Sequence, residues 1–206
     1  MLDATIAGFL RDLAARSAAP GGGATAALHA AQGAALIAMV ARYSDGPRYD
    51  AAVVARVLAE ADPLAGEALA LAEADGVAFG KVTGAYQLPR QTEQEKAARS
   101  AAIAVALGDA TRPQADLVIV SARLAGLAGD LLPTANRNLI GDLLAAAASV
   151  RAAAQIAQVN IETSLPAVRK TDAALAAELQ AVVADASGVI EQAGRVVAAI
   201  RAEVTR

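Results

Sequence analysis

Residues 17–41 read SAAPGGGATAALHAAQGAALIAMVA, and this stretch of 25 residues contains no Asp, Glu, Lys or Arg. About 20 apolar residues are enough to span a bilayer, so a membrane helix is one interpretation of the stretch. A proline, several glycines, His29 and Gln32 argue against it, as does the predominance of alanine over Leu, Ile and Phe. We therefore predict a buried helix at the centre of a soluble protein, with no membrane partner.

The rest of the chain is also rich in alanine, which accounts for 59 of the 206 residues. Only five side chains are aromatic, so the interior is packed from small groups that let helix backbones approach closely. Ala, Leu, Glu, Gln and Arg have high helix propensity, whereas typical strand formers are scarce outside scattered Val and Ile. The composition predicts an all-α fold and excludes a β-sandwich or a β-barrel.

Charge and cysteine content narrow the classes of function. The chain has no Cys and a single His, which excludes disulfides, thiolate nucleophiles and Cys-ligated or two-histidine metal sites. The net charge is −3 and no basic cluster exceeds two residues, so we expect no nucleic-acid partner. We expect a cytoplasmic protein with no bound metal, in which carboxylates, Lys or Tyr carry any acid–base chemistry.

Turn and cap signals divide the chain into helices. We predict one domain, residues 1–206, folded as a bundle of six or seven helices. Pro63 and Pro113 predict kinks, or a restart with Asp62 as cap at the first of them, and Pro166 predicts a helix end. Thr92 and Glu95 have the spacing of a capping box. The predicted helices are 3–16 with Asp3 as N-cap, 24–44, 48–88, 92–128, 139–162 and 171–206.

Three consecutive glycines, Gly21 to Gly23, follow Pro20 and precede the uncharged helix. This arrangement leaves backbone N–H groups exposed at a helix N-terminus, where anions bind well. The alternative is that the glycines allow a tight turn and a close crossing of a neighbouring helix. No Gly-Lys-Ser/Thr sequence follows them, which excludes a P-loop.

Asp75 lies within an otherwise apolar helical segment, where Asp is an unfavourable residue. Phe79, Val82 and Tyr86 follow at i+4, i+7 and i+11, so helical periodicity places Asp75 on the stripe that faces the core or a cleft. Desolvation raises the pKa of a carboxylate in such a place toward the range that a general acid or base needs. The alternative is a partly exposed Asp that helps to cap the helix after Pro63.

A third group of polar residues follows further along the chain. Asn138 and Asp142 are four residues apart, and Asn160 follows Asp142 by 18 residues, or five helical turns, so all three share one helix face. The alternative is that Asn138 caps a helix and the others are surface residues. Arg48 and Tyr49 flank a predicted loop, where they either receive an acidic ligand or remain solvated.

Five segments in order along the chain carry a family resemblance: PGGG at 20–23, Asp75 with AF at 78–79, AYQLPR at 85–90, TEQEKAAR at 92–99, and NRN at 136–138 ahead of Asp142 and Asn160. Together they resemble the cyclodeaminase/cyclohydrolase family, which occurs fused to formiminotransferase in a mammalian enzyme and as a separate protein in bacteria. The resemblance covers nearly the whole chain. It implies a helical homodimer, here paired through residues 17–41, with the cleft near the subunit contact.

The resemblance implies that the substrate is a reduced folate carrying a one-carbon unit. The reaction is either cyclisation of 5-formiminotetrahydrofolate to 5,10-methenyltetrahydrofolate with loss of ammonia, or hydrolysis of the methenyl bridge to 10-formyltetrahydrofolate. Both reactions need only proton transfers around a tetrahedral carbon, so no cofactor is implied. An alternative from a different class is a catalytically silent helical scaffold that keeps the family fold.

The same resemblance implies roles for the candidate residues. Asp75 is the principal acid/base catalyst, and Asp142 is its partner or a ligand of the pterin. Where the family has a Gly-Lys-Lys-x-Tyr-like stretch, this chain has GPRY at 46–49, which leaves Arg48 to meet the folate glutamate tail. The implied folate-binding residues are Gly21, Gly22, Gly23, Arg48, Tyr49, Asn138 and Asn160.

Overall fold

The computed structural model describes residues 4–205, and within them it contains helices and no strands. The all-α prediction is therefore confirmed. Two short 3-10 turns, Leu132–Thr134 and Arg137–Leu139, lie between the fourth and fifth α-helices. The six α-helices are α1 (Ile6–Leu13), α2 (Gly22–Arg42), α3 (Ala51–Tyr86), α4 (Glu93–Leu131), α5 (Ile140–Thr171) and α6 (Ala173–Val204).

The uncharged helix α2 lies at the centre and packs against α3, α4 and α5. Small residues permit this packing: a Cβ added at Gly33 would lie 2.7 Å from Cγ2 of Val150 and 3.2 Å from the carbonyl oxygen of Ala146 on α5. Most of the buried positions of α2 are alanines, and Ile37 and Val40 are fully buried among them. The predicted central position of this helix is confirmed, but its predicted full burial is not met in the single chain, where Gln32 and Ala35 are exposed.

Helices α2 and α1 each leave an apolar surface open in the single chain. The first is the open face of α2, where Ala35 is exposed and Leu28, Leu36 and Met39 are only partly buried. The second is α1, where the side chains of Ile6 and Leu10 are 82% and 55% exposed. A groove of about 440 Å³ runs between them, and His29 and Gln32 add its polar groups.

Three helices are long and apolar enough to cross a membrane by length and composition: Gly22–Arg42, Arg137–Thr171 and Ala173–Val204. In the folded chain, 61%, 33% and 22% of their most apolar windows are buried. The first of them thus covers its apolar surface mainly with protein. The other two are amphipathic, as α6 illustrates: Leu179, Val189, Val196 and Ile200 are buried while charged residues occupy its outer face.

The predicted helix starts at α4 and α6 are confirmed. Thr92 accepts a hydrogen bond from the backbone N–H of Glu95, and the carboxylate of Glu95 accepts one from the backbone N–H of Thr92, which completes the capping box. Asp172 caps α6 by accepting from the backbone N–H of Leu175. The predicted cap Asp3 lies outside the described residues, and α1 has Thr5 as its N-cap.

Helices α3 and α5 continue through prolines at which the sequence predicts a possible restart and an end, respectively. Pro63 lies inside α3 without a restart, and α5 continues past Pro166 to Thr171. A proline removes one intrahelical hydrogen bond, but the buried residues Leu64 and Leu165 beside these two prolines hold both halves of each helix against the core. Pro113 likewise lies inside α4.

Candidate functional site

Four helices meet around Asp75. The carboxylate projects from α3 toward the first turn of α2, and α4 and α5 close the other sides of a cavity of about 240 Å³. We call this space the Asp75 cavity. It is lined by Ala18, Ala19, Gly21, Gly22, Gly23, Asp75, Phe79, Val82, Leu107, Ala110, Gln114, Asn160, Thr163 and Ser164.

The Asp75 carboxylate is held from two sides. The side-chain amide of Gln114 donates a hydrogen bond of 2.6 Å to Oδ1 of Asp75, and the backbone N–H of Ala24 donates a second one to the carboxylate. The side-chain amide of Asn160 in turn donates to Oε1 of Gln114 at 3.3 Å. The site is therefore a chain of directed hydrogen bonds that starts on α5, passes through α4 and ends on the carboxylate.

The contact with Ala24 also explains how α2 begins. Its N-cap residue, Gly21, has no side chain to accept a hydrogen bond from the first turn. Asp75 supplies that acceptor from another helix, and its negative charge is favourable at the positive end of the helix dipole. The N-terminus of α2 and the candidate catalytic group thus stabilise each other.

Burial raises the pKa of Asp75 above its ordinary value. The hydrogen bonds from Gln114 and from the backbone of Ala24 oppose this shift, because they favour the ionised carboxylate. The group is partly desolvated and still hydrogen-bonded, which brings its protonated and ionised forms closer in free energy at neutral pH than those of a solvated aspartate. Such a carboxyl group can both accept and donate a proton.

Gly23 is the member of the glycine triplet that the site requires. A Cβ at this position would lie 2.1 Å from Oδ1 of Asp75 and 2.4 Å from Nε2 of Gln114. At Gly22 the nearest such contact is 3.9 Å away, and at Gly21 nothing lies within 4 Å. The close-approach interpretation therefore applies at Gly23. Binding of an anionic ligand at this helix N-terminus stays a prediction.

The predicted site residues fall into two groups at opposite ends of α2, which is roughly 30 Å long. Asp75, Asn160 and the glycine triplet share the Asp75 cavity. At the other end lies a second cavity of about 240 Å³, which we call the Arg48 cavity. It is lined by Arg48, Tyr49, Pro133, Thr134, Ala135, Asn136, Arg137 and Asn138.

Asp142 does not lie beside Asp75 in the single chain. It occupies the first turn of α5, and Asn160 follows 18 residues later on the same continuous helix. At 1.5 Å per residue, the two are about 27 Å apart along the helix axis. Asp142 and Asn160 share a face of α5 but not a site. The catalytic role of Asp142 stays a prediction, and the geometry of the Asp75 cavity does not support it.

The Arg48 cavity is more exposed and carries positive charge. The guanidinium of Arg48 lies 4.7 Å from the centre of the Tyr49 ring, a cation–π contact that leaves its N–H groups available to solvent. Asn136 holds the wall of the cavity, because its backbone N–H donates to Oγ of Ser44 and its side-chain amide donates to the carbonyl of Tyr43. Arg137 forms an ion pair with Glu203.

Sequence analysis missed Gln114, which is only 3% exposed. Its neighbours Arg112 and Asp116 are exposed, so the local sequence is typical of a surface segment. The missed signal is helical spacing, since Gln114 lies one turn before the buried residues Leu117 and Val118. Within residues 4–205, no group of three or more His, Asp or Glu side chains is placed to hold a metal ion.

Comparison with known proteins gives concordant matches. Residues 5–185 match the family described as Formiminotransferase-cyclodeaminase. A methenyltetrahydrofolate cyclohydrolase of Methylorubrum extorquens is 37% identical over 163 residues, which cover 76% of this chain and 78% of the relative. The formimidoyltransferase-cyclodeaminase of Rattus norvegicus is 32% identical over 168 residues, which cover 80% of this chain and 31% of that longer protein.

The fold has a solved counterpart. The crystal structure of formiminotetrahydrofolate cyclodeaminase from Thermotoga maritima superposes with a TM-score of 0.84, covering 100% of this chain and 99% of the other at 24% identity. That likeness concerns the arrangement of the helices. The family match over residues 5–185 shows that the chain belongs to the formiminotransferase-cyclodeaminase family.

Proposed function

We propose that this protein is an enzyme acting on a reduced folate that carries a one-carbon unit, with Asp75 as the group that moves protons. The observation that carries the proposal is the Asp75 cavity, which holds a partly desolvated carboxylate anchored by two hydrogen bonds. One relative of this chain is named a methenyltetrahydrofolate cyclohydrolase. General acid–base catalysis needs such a group within reach of the reacting atoms.

Two reactions are consistent with one such carboxylate. In the hydrolysis, water adds to the methenyl carbon, and Asp75 accepts a proton from the water and passes it to N5. The bond from that carbon to N5 then breaks, and the remaining hydroxyl proton leaves to solvent as the formyl carbonyl forms. In the cyclisation, N10 adds to the formimino carbon, Asp75 accepts the N10 proton and passes it to the leaving nitrogen, and ammonia departs. Neither sequence needs an oxidant, a reductant or a second substrate beyond water.

Hydrolysis is the first reaction to assay, because the cyclohydrolase relative matches over most of its own length. Loss of the near-ultraviolet absorbance of 5,10-methenyltetrahydrofolate reports hydrolysis. Appearance of the same absorbance from 5-formiminotetrahydrofolate, with release of ammonia, reports cyclisation. A rate no greater than that of buffer with both substrates would favour the alternative, a catalytically silent scaffold.

We also propose that two copies of the chain pair through the open face of α2. The face consists of Leu28, Gln32, Ala35, Leu36 and Met39, and it carries no charge. Apolar area of this kind, left uncovered in one chain, is favourable to bury against a second copy. A two-fold axis perpendicular to α2 would bring the Asp75 cavity of one copy toward the Arg48 cavity of the other.

Pairing is tested by the solution mass of the wild type and of Leu36→Asp, which we expect to be dimeric and monomeric respectively. Ile119→Asp, at an exposed position on α4, is the matched control and should remain dimeric. If the two cavities act together across the pair, mixing Asp75→Asn with Arg48→Ala creates one intact site per mixed dimer. Such mixtures should then regain turnover at low substrate concentration.

A further inference from the structure

We propose that Gln114 is a positioning residue, which fixes the orientation and the protonation of the Asp75 carboxyl group through the hydrogen-bond chain from Asn160. The kinetic part of this inference rests on the proposed function. Its structural part concerns the free protein and is tested without any substrate.

The first argument is burial. Gln114 is 3% exposed, so both ends of its amide need partners within the protein. Nε2 donates to Oδ1 of Asp75 at 2.6 Å, and Oε1 accepts from Nδ2 of Asn160 at 3.3 Å. An ionised carboxylate can only accept hydrogen bonds, so Gln114 must present its NH₂ group to Asp75 and its oxygen to Asn160. The hydrogen bond from Asn160 to Oε1 of Gln114 stabilises this orientation of the amide.

The second argument is space. The backbone of α2 closes over the contact, because a Cβ at Gly23 would lie 2.4 Å from Nε2 of Gln114. The amide is thus confined between α2, α3 and α5. Confinement of this kind holds a reacting group in one geometry, and small displacements of such a group are costly for catalysis.

The third argument is charge. Within the described residues, Asp75 is the only ionisable group that lines its cavity, so neutral donors control its protonation. On α3 and α1, Glu73 and Asp12 line the adjacent cavity instead. On α4, Arg112 and Asp109 pair with each other at 3.7 Å, and neither lines the Asp75 cavity. On α5, Glu162 is exposed and does not line it.

Two effects follow from the removal of the Gln114 donor. The ionised form of Asp75 loses a hydrogen bond while the burial remains, so its pKa rises further. The carboxyl group also loses the contact that orients it, which lowers kcat more than it changes KM. If Gln114 served only to fill the core, its replacement by a side chain of similar volume would change neither the titration of Asp75 nor the pH dependence of turnover.

The test uses Gln114→Met, which keeps the approximate volume and removes the donor. The carboxyl carbon of Asp75 is titrated by NMR in the free protein, and kcat/KM is measured against pH. We expect the NMR titration and the acidic limb of kcat/KM to move together to higher pH by about one unit, and kcat to fall about tenfold. Asn160→Leu should produce smaller shifts in the same direction.

The matched control is Gln158→Met. Gln158 is a partly buried glutamine whose amide donates to Oγ of Ser187 and to the carbonyl of Val183, both on α6 and away from Asp75. This variant should leave both the titration and the kinetics of the wild type unchanged.

Unchanged Asp75 titration in folded Gln114→Met overturns the inference, whether or not the protein turns over a folate. If that variant fails to fold, unchanged titration in Asn160→Leu does the same. A shifted titration in a protein without folate turnover supports the positioning role and overturns the proposed function alone.

Discussion

The cavities at the two ends of α2 are each about 240 Å³ in volume, yet their polar groups differ in kind. At the N-terminal end, one carboxylate is partly desolvated and held by donors from two other helices. At the C-terminal end, an exposed arginine stacks on a tyrosine beside a 3-10 turn. Burial raises the pKa of the Asp75 carboxyl group, so the first cavity is suited to proton transfer. The exposed guanidinium suits the second cavity to the attraction of an anion.

Asp75→Asn is the substitution that we expect to distinguish the roles of the two cavities most strongly. It keeps the shape of the side chain and removes the ability to exchange a proton, so kcat should fall by about 100-fold to 10,000-fold. The rate of absorbance change with methenyltetrahydrofolate measures the effect. Asp185→Asn, at an exposed position on α6, should turn over at the wild-type rate. An Asp75→Asn enzyme as active as the wild type would falsify the assignment of Asp75.

Gly23→Ala should disturb the Asp75 cavity through its packing. The new Cβ would lie 2.1 Å from Oδ1 of Asp75, so either α2 or the carboxylate must move. We expect a loss of about 1–3 kcal/mol in the free energy of unfolding and a fall in turnover of at least tenfold. Gly66→Ala, at an exposed position on α3 outside the cavity, is the control, since no atom lies within 4 Å of the added Cβ. Denaturant unfolding measures the free energy of unfolding, and the absorbance assay measures turnover. Equal effects of the two variants would contradict the close contact at Gly23.

Arg48→Ala tests the other end of α2. Loss of the guanidinium should raise KM for a folate substrate about tenfold and leave kcat nearly unchanged, because the group binds charge and moves no proton. The salt dependence of KM should weaken in parallel. Arg201→Ala, at an exposed position on α6, is the control and should match the wild type. A fall in kcat without a rise in KM would place Arg48 in the chemistry instead.

The smallest expected effect is the pH dependence of stability that Asp75 contributes. The folded pKa of Asp75 is raised by burial. The stability that this group contributes is therefore complete below its unfolded pKa and is lost as the pH rises through the folded pKa. Relative to Asp75→Asn, the wild type should become less stable with rising pH across that interval. Thermal unfolding of both proteins across the acid range checks this; a wild type that gains stability relative to Asp75→Asn as the pH rises contradicts it.

The sequence predicted one half of the Asp75 cavity and missed the other half. Asp75 and Gly23 stood out because a carboxylate in an apolar helix and a glycine triplet before a helix are locally unusual. Gln114 did not, because its exposed neighbours Arg112 and Asp116 made it resemble a surface residue. The sequence grouped Asn160 with Asp142, whereas in the structure its side-chain amide hydrogen-bonds to Gln114. Helical periodicity predicts the face of the helix on which a residue lies. It does not predict which residue of a neighbouring helix lies beside it along the helix axis.

The same limit applies to the helix boundaries. Capping at Thr92 and Asp172 depends on side chains within three residues of the helix start, and it was predictable. The continuity of α3 and α5 through Pro63 and Pro166 depends on the packing of Leu64 and Leu165 into the core, which outweighs one lost hydrogen bond.

Local chemistry along the chain was thus enough to specify an alanine-rich helical bundle, a central uncharged helix and a glycine triplet beside a candidate acid. These features depend on propensity, periodicity and capping, which act over a few residues. The convergence of Gln114, Asn160 and the start of α2 on Asp75, and the separation of Asp142 from it, depend on how long helices cross. The crossing of helices is set by side-chain packing between segments distant in sequence, so it can be seen only in the tertiary structure.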